Sequence, residues 1–325
     1  MTDLRIGLAG CGRHGERYLR HLQRGDVEGM RAVAVHRRNQ AVGRDLADRY
    51  GVDYVDSLEA LLDPERIDAV LILTPPGPHA TALRAAIEAG LGVLVEKPLV
   101  ASWEEVREVA GYDGARVMVA QTLRFSPVLR RVRELLPAVG TVHRVRMAQR
   151  LEPSDLDWQR DRAAAGGGSV TLTGVHLFDL LRWMIGRTPD AVSARMCALQ
   201  GHPFENLFDA CFEYDAPPLL AATEVSKFSR SRTSLLELVG EEGELHADYL
   251  RGTIDFRQGR EVERVAEFGD VPTLPIALGF FGALVRGEIE TPVSLRDGIE
   301  TLRMAEACYR SHASGRLVRL DELDD

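Results

Sequence analysis

The sequence predicts an α/β protein in which an N-terminal, doubly wound parallel sheet is followed by an α+β region with an open, mainly antiparallel sheet. In the first 120 residues, short apolar runs alternate with helical patterns, as in parallel α/β sheets. A G-x-G-x-x-G segment joins the first apolar run to the first helical pattern. Beyond residue 121 apolar and polar residues alternate with the period of half-buried antiparallel strands.

The first region is predicted to contain six strands separated by helices. The predicted strands are Leu4–Ala9, Ala32–His36, Val52–Val55, Ala69–Leu73, Gly92–Val95 and Val117–Ala120. The predicted helices are Gly15–Gln23, Ala41–Tyr50, His79–Ala89 and Trp103–Ala110. Ser102 followed by Glu105 has the spacing of a capping box at the start of the last helix.

The second region is predicted to contain seven strands and three helices. The predicted strands are Thr141–Arg150, Val192–Leu199, Phe208–Tyr214, Leu219–Phe228, Ser234–Val239, Glu244–Leu250 and Thr253–Arg257. The predicted helices are Val175–Ile185, Pro275–Arg286 and Leu295–Ser314. Because 325 residues exceed the usual size of one core, two domains are expected, 1–121 and 122–325.

Composition narrows the classes of partner. The 40 basic and 49 acidic residues give a net charge of −9, which argues against nucleic-acid and anionic-membrane partners. No apolar stretch is long enough for a membrane span, and the early strand argues against a signal peptide. The four cysteines are far apart, without metal-type spacing. We therefore expect a cytoplasmic protein without a metal site.

The glycine-rich segment predicts a dinucleotide site. Between a strand and a helix, its glycines permit a tight turn and close approach of a pyrophosphate, and the helix N-terminus offers N–H groups. The predicted contacts are Gly10, Cys11, Gly12, Arg13, His14 and Gly15. The first domain is therefore expected to be a Rossmann domain.

The end of the second strand favours NADP(H) over NAD(H). NAD sites usually place an acidic residue there, whereas this chain has His36, Arg37 and Arg38. Guanidinium groups bind a 2′-phosphate in a bidentate manner, so all three residues are predicted cofactor contacts. The alternative is that these arginines are solvated, since such pairs arise easily in an arginine-rich chain.

Lys97 is a candidate catalytic residue. All but two of the forty basic residues are arginine, and Lys97 follows a predicted buried strand, where ligands bind in open α/β sheets. Unlike arginine, a lysine can be brought towards neutrality by burial and then exchange protons. The other lysine, Lys227, is expected to be an ordinary surface residue.

The chain resembles the Gfo/Idh/MocA family, named after glucose–fructose oxidoreductase, inositol dehydrogenase and a rhizopine-catabolism protein. The resemblance covers nearly the whole chain. It rests on the phosphate loop and on Thr74–His79, Glu96-Lys97-Pro98, Arg124-Phe125, Gly166-Gly167-Gly168, Gly174–Asp179 and the closing segment Phe281–Val318. It implies hydride transfer between a nicotinamide and a carbon that carries a hydroxyl or carbonyl group, commonly on a sugar or polyol.

The resemblance also implies roles for single residues. In the family a Lys, an Asp and a His four residues after the Asp surround the reacting carbon, which assigns catalysis to Lys97 and His176. This chain departs from the pattern because Leu172 occupies the Asp position, and Gln121 begins a segment where relatives carry an aromatic–Asn pair. With one fewer nearby anion, the pKa of Lys97 is expected to be lower than in relatives.

His176 is also a candidate on chemical grounds, because a histidine titrates near neutrality and can act as acid and base. Asp179, one helical turn later, is a candidate to orient it, although a capping or solvated role is equally consistent. Asp157 and Asp161 are candidates to replace the missing carboxylate. Further predicted cofactor contacts are Thr74, Pro75, His79, Glu96 and Lys97, and predicted substrate contacts are Arg124, Trp158, Asp161, Thr173 and Asp179.

The sequence thus predicts an NADP(H)-dependent oxidoreductase acting on a sugar, polyol or related small molecule. By family analogy, it is expected to form a homodimer or homotetramer through the second sheet. The alternative is a cofactor-binding sensor that has lost catalysis, since the catalytic set is incomplete. Retention of Lys97 in a lysine-poor chain argues against the sensor.

Overall fold

The computed structural model describes residues 3–112 and 114–323. They form two compact units, Met1–Thr122 with Pro272–Ile299, and Leu123–Val271 with Glu300–Asp325. This division differs from the predicted domains 1–121 and 122–325, because segment 272–299 returns to the first unit.

The first unit contains a six-stranded sheet in the order β3-β2-β1-β4-β5-β6, with every neighbouring pair parallel. Its strands are β1 Leu4–Ala9, β2 Met30–His36, β3 Asp53–Val55, β4 Ala69–Ile72, β5 Gly92–Val95 and β6 Val117–Val119. Its helices are α1 Arg13–Arg24, α2 Gln40–Tyr50, α3 Leu58–Leu61, α4 His79–Glu88, α5 Val106–Val109 and, later in the chain, α9 Thr273–Val285.

The predicted parallel sheet is confirmed. All residues of β4 and β5 are buried, as expected for strands covered on both faces. The predicted helix Trp103–Ala110 is largely wrong, because only Val106–Val109 is α-helical. The predicted capping box is also absent: the Glu105 carboxylate accepts the backbone N–H of Ala101 at 3.1 Å, outside the helix.

Segment 272–299 joins the first unit through packing and backbone hydrogen bonds. A side chain at Gly92 of β5 would lie 2.7 Å from Val285, and one at Gly282 would meet Met30 of β2. The backbone of β6 donates from Val119 to the Val293 carbonyl at 3.0 Å. These contacts connect distant parts of the chain, so local sequence pattern does not reveal them.

The second unit contains a nine-stranded sheet in the order β14-β13-β12-β11-β7-β10-β9-β8-β15, antiparallel except for the pair β7 and β10. Its strands are β7 Val142–Arg150, β8 Ala191–Cys197, β9 Leu207–Tyr214, β10 Leu219–Ser226, β11 Thr233–Gly240, β12 Glu244–Asp248, β13 Thr253–Gln258, β14 Glu261–Glu267 and β15 Val318–Arg319. Its helices are α6 Pro127–Leu135, α7 Arg162–Ala165, α8 Val175–Ile185 and α10 Leu295–Ser314, whose first residues belong to the first unit.

The predicted, mainly antiparallel sheet is confirmed. One of its faces packs against α8, where the Phe178 ring meets Phe208 and Phe212 of β9 edge to face. Strand β14, which the sequence analysis missed, is mostly exposed and has little apolar alternation. Among residues 3–112 and 114–323, no helix has both the length and the apolar character needed to span a bilayer.

Candidate functional site

The phosphate loop between β1 and α1 depends on its three glycines. Gly10 has φ +89°, and a side chain there would lie 2.6 Å from Thr74. A side chain at Gly15 would lie 2.5 Å from the Gly10 carbonyl, whereas one at Gly12 would meet nothing within 4 Å. The loop is therefore tightly packed on the protein side and open at Gly12.

This open side suits the pyrophosphate of a dinucleotide. No side chain caps the start of α1, so the helix N-terminus presents backbone N–H groups to an anion. The buried Thr74 hydroxyl at the end of β4 has no hydrogen-bond partner among the described residues, which leaves it a donor for a ligand oxygen. The predicted contacts at the loop and at Thr74 fit a nicotinamide dinucleotide. Pro75, the next residue, is half-buried.

The predicted 2′-phosphate contacts are the last residue of β2, His36, and the two arginines directly after it. Arg37 is half-buried and donates from Nη1 to the Cys11 carbonyl at 2.5 Å, while Arg38 is exposed. The His36 ring contacts the Val55 carbonyl at 3.2 Å. Cys11 is buried, and burial raises the pKa of its thiol to about 12, so Cys11 contributes its backbone and not a reactive thiolate. Arg37 therefore links the phosphate loop to the end of β2.

Glu96 links the phosphate loop to Lys97. Its Oε1 lies 2.8 Å from His14 Nε2 and accepts the Tyr18 hydroxyl at 2.8 Å, while its Oε2 accepts the Lys97 backbone N–H at 3.2 Å. Burial alone would raise the pKa of Glu96, but His14, the Lys97 charge and the Tyr18 hydroxyl outweigh burial and hold this pKa at about 2. Glu96 is therefore an anion at neutral pH.

The pKa of Lys97 is lowered from its ordinary value. Burial is the cause, and the Glu96 carboxylate opposes it. Burial is the effect that the sequence analysis named for a lysine at this strand end. The comparison with relatives that carry Asp at the position of Leu172 stays a prediction.

His79, a predicted cofactor contact, bridges two segments of the backbone. The ring is fully buried, with Nε2 2.9 Å from the Thr74 carbonyl and Nδ1 3.0 Å from the Pro98 carbonyl. Burial lowers the pKa of His79, and the hydrogen bonds to the two carbonyls oppose this effect. The ring therefore joins the chain after β4 to the chain after β5 and positions the backbone beside Lys97.

In the second unit, His176 lies in the first turn of α8, directly after a π-helical segment, Val170–Gly174. The whole π-helical segment is buried, and His176 is half-buried. Such π-helical segments are rare and occur frequently at functional sites. Leu172 and Thr173, both buried, belong to this segment.

Glu205 holds the start of this segment. Its Oε1 accepts the backbone N–H groups of Gly168 and Val170, each at 3.1 Å, and the Tyr309 hydroxyl at 2.7 Å. Its backbone carbonyl accepts the Ser169 N–H at 2.8 Å. Three hydrogen bonds thus join Glu205 to the chain that leads to His176, and a fourth joins it to Tyr309 of α10.

The glycine run before His176 is required by this arrangement. A side chain at Gly168 would lie 2.1 Å from the Glu205 carbonyl oxygen, and one at Gly167 would lie 2.5 Å from the Tyr309 hydroxyl. The sequence analysis used these glycines for the family resemblance but missed Glu205 and Tyr309. Neither residue belongs to a local motif, so no sequence signal pointed to them.

Arg124 and Asp179, both predicted substrate contacts, form a buried ion pair. Arg124 Nη2 and Nε donate to the two carboxylate oxygens of Asp179 at 2.6 and 2.8 Å. The side chains are only 8% and 1% exposed. The pair joins Arg124 to α8, which carries Asp179, and the predicted contact of both residues with the substrate stays a prediction.

Two further predicted substrate contacts, Trp158 and Asp161, lie in the segment before the glycine run, whereas Thr173 lies in the π-helical segment. Asp161 caps α7 by accepting the Ala163 N–H at 3.0 Å, so its carboxylate has a structural partner. Trp158 is half-buried and Asp157 is exposed.

The described part of the chain contains no cluster of three or more His, Cys, Asp or Glu residues able to hold a metal ion.

The expectation for Lys227 was wrong. It is half-buried, donates from Nζ to Gln159 Oε1 at 3.2 Å, and lines a cavity together with Leu172. The physical reason is its position directly after β10, where its backbone N–H donates to the Asn206 carbonyl at 2.7 Å and keeps the residue beside the sheet.

Two family models match the chain. Residues 4–120 match the oxidoreductase family with an NAD-binding Rossmann fold, and residues 129–246 match the Gfo/Idh/MocA C-terminal domain.

Full-length relatives are similar as well. The chain is 27% identical to inositol 2-dehydrogenase of Rhizobium meliloti, over 98% of this chain and 99% of that protein. It is 31% identical to D-xylose 1-dehydrogenase (NADP(+)) 2 of Haloferax volcanii, over 89% of this chain and 92% of that protein. Among solved structures, GenD2 from gentamicin A biosynthesis, in complex with NAD, is 27% identical, with a TM-score of 0.85 over 98% of this chain and 97% of that one.

Proposed function

Because this chain belongs to the Gfo/Idh/MocA family of oxidoreductases, we propose that it transfers hydride between a nicotinamide and a hydroxyl or carbonyl carbon of a sugar, polyol or related small molecule. The observation that carries this proposal is Glu96, which joins His14 of the phosphate loop to the backbone of Lys97. This link holds a lysine of lowered pKa next to the cofactor loop. The relatives named above are dehydrogenases of inositol and xylose.

The proposed chemistry divides the work between two side chains. A bound nicotinamide supplies or accepts the hydride. The resemblance to the family assigns polarisation of the reacting oxygen to Lys97, as an ammonium group, and transfer of the proton to or from that oxygen to His176. Glu96 stays ionised and keeps the backbone of Lys97 in place, and the bridge through His79 supports the same loop.

We assign NADP(H) as the preferred cofactor. No acidic residue follows β2, where it would repel a 2′-phosphate, and the half-buried Arg37 stands there instead. One relative is named as an NADP(+) enzyme, although GenD2 was solved with NAD. The contact of Arg37 with the Cys11 carbonyl uses one of its five N–H donors and aligns the guanidinium beside the loop.

We further propose that the protein forms a homodimer or homotetramer. The contact between subunits would be made by the face of the nine-stranded sheet that is turned away from α8. In β10, alternate residues are buried, while Leu220 between them is 46% exposed. The proposal of assembly rests on analogy with the family, because a single exposed leucine is ordinary on a protein surface. The cytoplasmic location stays a prediction.

The test measures turnover with NADPH and NADH over a panel of sugars, polyols, aldehydes, ketones and imines, for the wild type, Lys97→Ala and Lys97→Arg. We expect both variants to lose at least 100-fold in kcat/KM. In the wild type, activity that needs the ammonium form falls as pH rises through the lowered pKa of Lys97, below 10.5.

Unchanged turnover in both Lys97 variants would refute the mechanism. Tight NADPH binding without turnover of any compound would favour the alternative, a cofactor-binding sensor without catalysis. Membership of an oxidoreductase family does not favour that alternative. Lys227→Arg is the matched control for lysine replacement, and its NADPH affinity is expected to stay at the wild-type value.

A further inference from the structure

The π-helical segment before His176 contains one turn that is wider than a turn of an α-helix. The backbone N–H of Val175 donates to the Val170 carbonyl, five residues earlier. Before it, the Leu172 N–H donates to the Gly168 carbonyl, four residues earlier, at 2.9 Å, which is the spacing of an α-helix. The extra residue is therefore inserted immediately before the first turn of α8, which carries His176.

The wide turn sets the direction of the His176 side chain relative to the chain before it. Successive residues of an α-helix are about 100° apart around the helix axis. One additional residue in a turn therefore rotates all later side chains by about 100° relative to the earlier ones. If this turn took the spacing of an α-helix, His176 would change its orientation relative to the glycine run.

Apolar packing holds the chain on the far side of the turn. A side chain at Gly174 would lie 2.7 Å from the Phe208 ring and 3.1 Å from the Phe178 ring, so the helix is in close contact with β9. The Phe178 ring meets those of Phe208 and Phe212 edge to face, and all three residues are fully buried. This packing fixes α8 on the sheet.

Tyr309, on α10, holds the chain on the near side of the turn. Its hydroxyl donates to Glu205 Oε1 at 2.7 Å and lies 2.9 Å from Thr171 Oγ1. Because a phenol has a single hydrogen and the carboxylate accepts it, the Thr171 hydroxyl is the donor in the second bond. The same Glu205 oxygen accepts the backbone N–H groups of Gly168 and Val170. Tyr309 is therefore joined to the π-helical segment directly and through Glu205.

The bond between Thr171 and Tyr309 connects two helices. A threonine inside a helix commonly donates to a carbonyl of its own preceding turn, whereas Thr171 donates to α10. Thr171 is only 4% exposed, so water has little access to this bond. Burial, followed by the Glu205 charge, raises the pKa of Tyr309 well above its ordinary value, so the phenol remains a donor at neutral pH.

We infer that Tyr309 is a positioning residue, whose hydroxyl fixes the π-helical segment through Thr171 and Glu205 and thereby orients the His176 imidazole for proton transfer. The inference rests on the proposed function, in which His176 moves the proton. Since Tyr309 acts through His176 in this role, loss of its hydroxyl lowers kcat more than it changes substrate or cofactor binding.

The first experiment compares Tyr309→Phe with the wild type on the best substrate of the panel. We expect kcat to fall roughly 10- to 100-fold, the size of a small misplacement of a catalytic group. KM and NADPH affinity are expected to change by less than about threefold. The matched control is Tyr112→Phe in the first unit, whose hydroxyl also donates to a glutamate, Glu88, at 2.7 Å. This control is expected to keep the wild-type kcat.

A second pair of variants tests the partner of the hydroxyl. Thr171→Val removes the donor to Tyr309 and is expected to lower kcat as Tyr309→Phe does, whereas Thr171→Ser keeps the hydroxyl and most of the activity. Circular dichroism verifies that each variant is folded. If Tyr309→Phe does not fold, the comparison of Thr171→Val with Thr171→Ser gives the same test.

The third experiment measures whether Tyr309 acts through His176. In a His176→Gln background, Tyr309→Phe should cost less than about threefold in kcat, because the side chain that it orients is gone. In the NADPH-loaded protein with ¹³C-labelled histidine, the imidazole signal that His176→Gln removes should shift in Tyr309→Phe and stay in place in Tyr112→Phe.

The outcomes separate this inference from the proposed function. A wild-type kcat in Tyr309→Phe, an equal loss in the His176→Gln background, or an unmoved His176 signal would overturn the inference, while turnover by the wild type would still support the proposed function. A His176 signal that shifts in Tyr309→Phe, without turnover of any compound by the wild type, would support the orientation of His176 by Tyr309 and contradict the proposed function.

Discussion

The ion pair between Arg124 and Asp179 predicts a large loss of stability for Asp179→Asn. Both carboxylate oxygens accept from the guanidinium at 2.6 and 2.8 Å, and the side chains are 8% and 1% exposed, so water screens the pair little. Asparagine keeps the shape but removes the negative charge that Asp179 places against the buried Arg124 guanidinium. Removal of one partner from a buried pair costs about 3–5 kcal/mol. In a domain of this size the melting temperature would fall by roughly 6–20 °C.

The measurement is urea unfolding followed by circular dichroism, with the free energy of unfolding extrapolated to water. Glu134→Gln removes an exposed carboxylate that pairs with Arg131 and should cost less than about 1 kcal/mol. The double variant Arg124→Met with Asp179→Leu removes both charges and should regain most of the loss. If Asp179→Asn were as stable as the control but inactive, Asp179 would be a substrate contact, as the sequence analysis first predicted.

Two further predictions concern the cofactor loop and the segment before His176. Arg37→Ala should weaken NADPH binding roughly 10- to 100-fold more than NADH binding, because it removes charge-assisted hydrogen bonds to the 2′-phosphate. Equal losses, measured by fluorescence titration, would mean that Arg37 acts only through the Cys11 carbonyl. Glu205→Gln should lower the free energy of unfolding by about 1–3 kcal/mol and speed amide hydrogen exchange at Val170, since a neutral amide is a weaker acceptor for three donors. An exchange rate equal to that of the wild type would show that Glu205 does not hold this segment.

Much of the fold was predictable because it depends on short-range patterns. The period of the apolar residues distinguishes buried parallel strands such as β4 and β5 from the half-buried alternation of β9. The glycine spacing of the phosphate loop is likewise local, since Gly10 and Gly15 are adjacent in the turn that they form. The missed strand β14 carries polar residues on both faces and has no such signal.

For the candidate site, local pattern identified positions but not partners. Lys97 and Glu96 follow β5 and the phosphate loop follows β1, so their presence at strand ends could be expected from the chain order. That Glu96 binds His14, 82 residues away in the chain, depends on how β5 and α1 pack. Likewise, Arg124 and Asp179 were recognised as polar residues in a family motif, but only their burial against each other made them an ion pair.

Lys227 shows the same limit most clearly. Composition marked it as one of two lysines, and no local feature distinguished it from a surface residue. The tertiary structure places it in a cavity wall with Leu172 and Ser169, residues more than fifty positions away. Periodicity and motif spacing are set by neighbours along the chain, and they specified the strands and the cofactor loop. Burial, charge pairing and cavities arise from residues that meet only after folding, and they decided which polar groups are structural and which are available to a ligand.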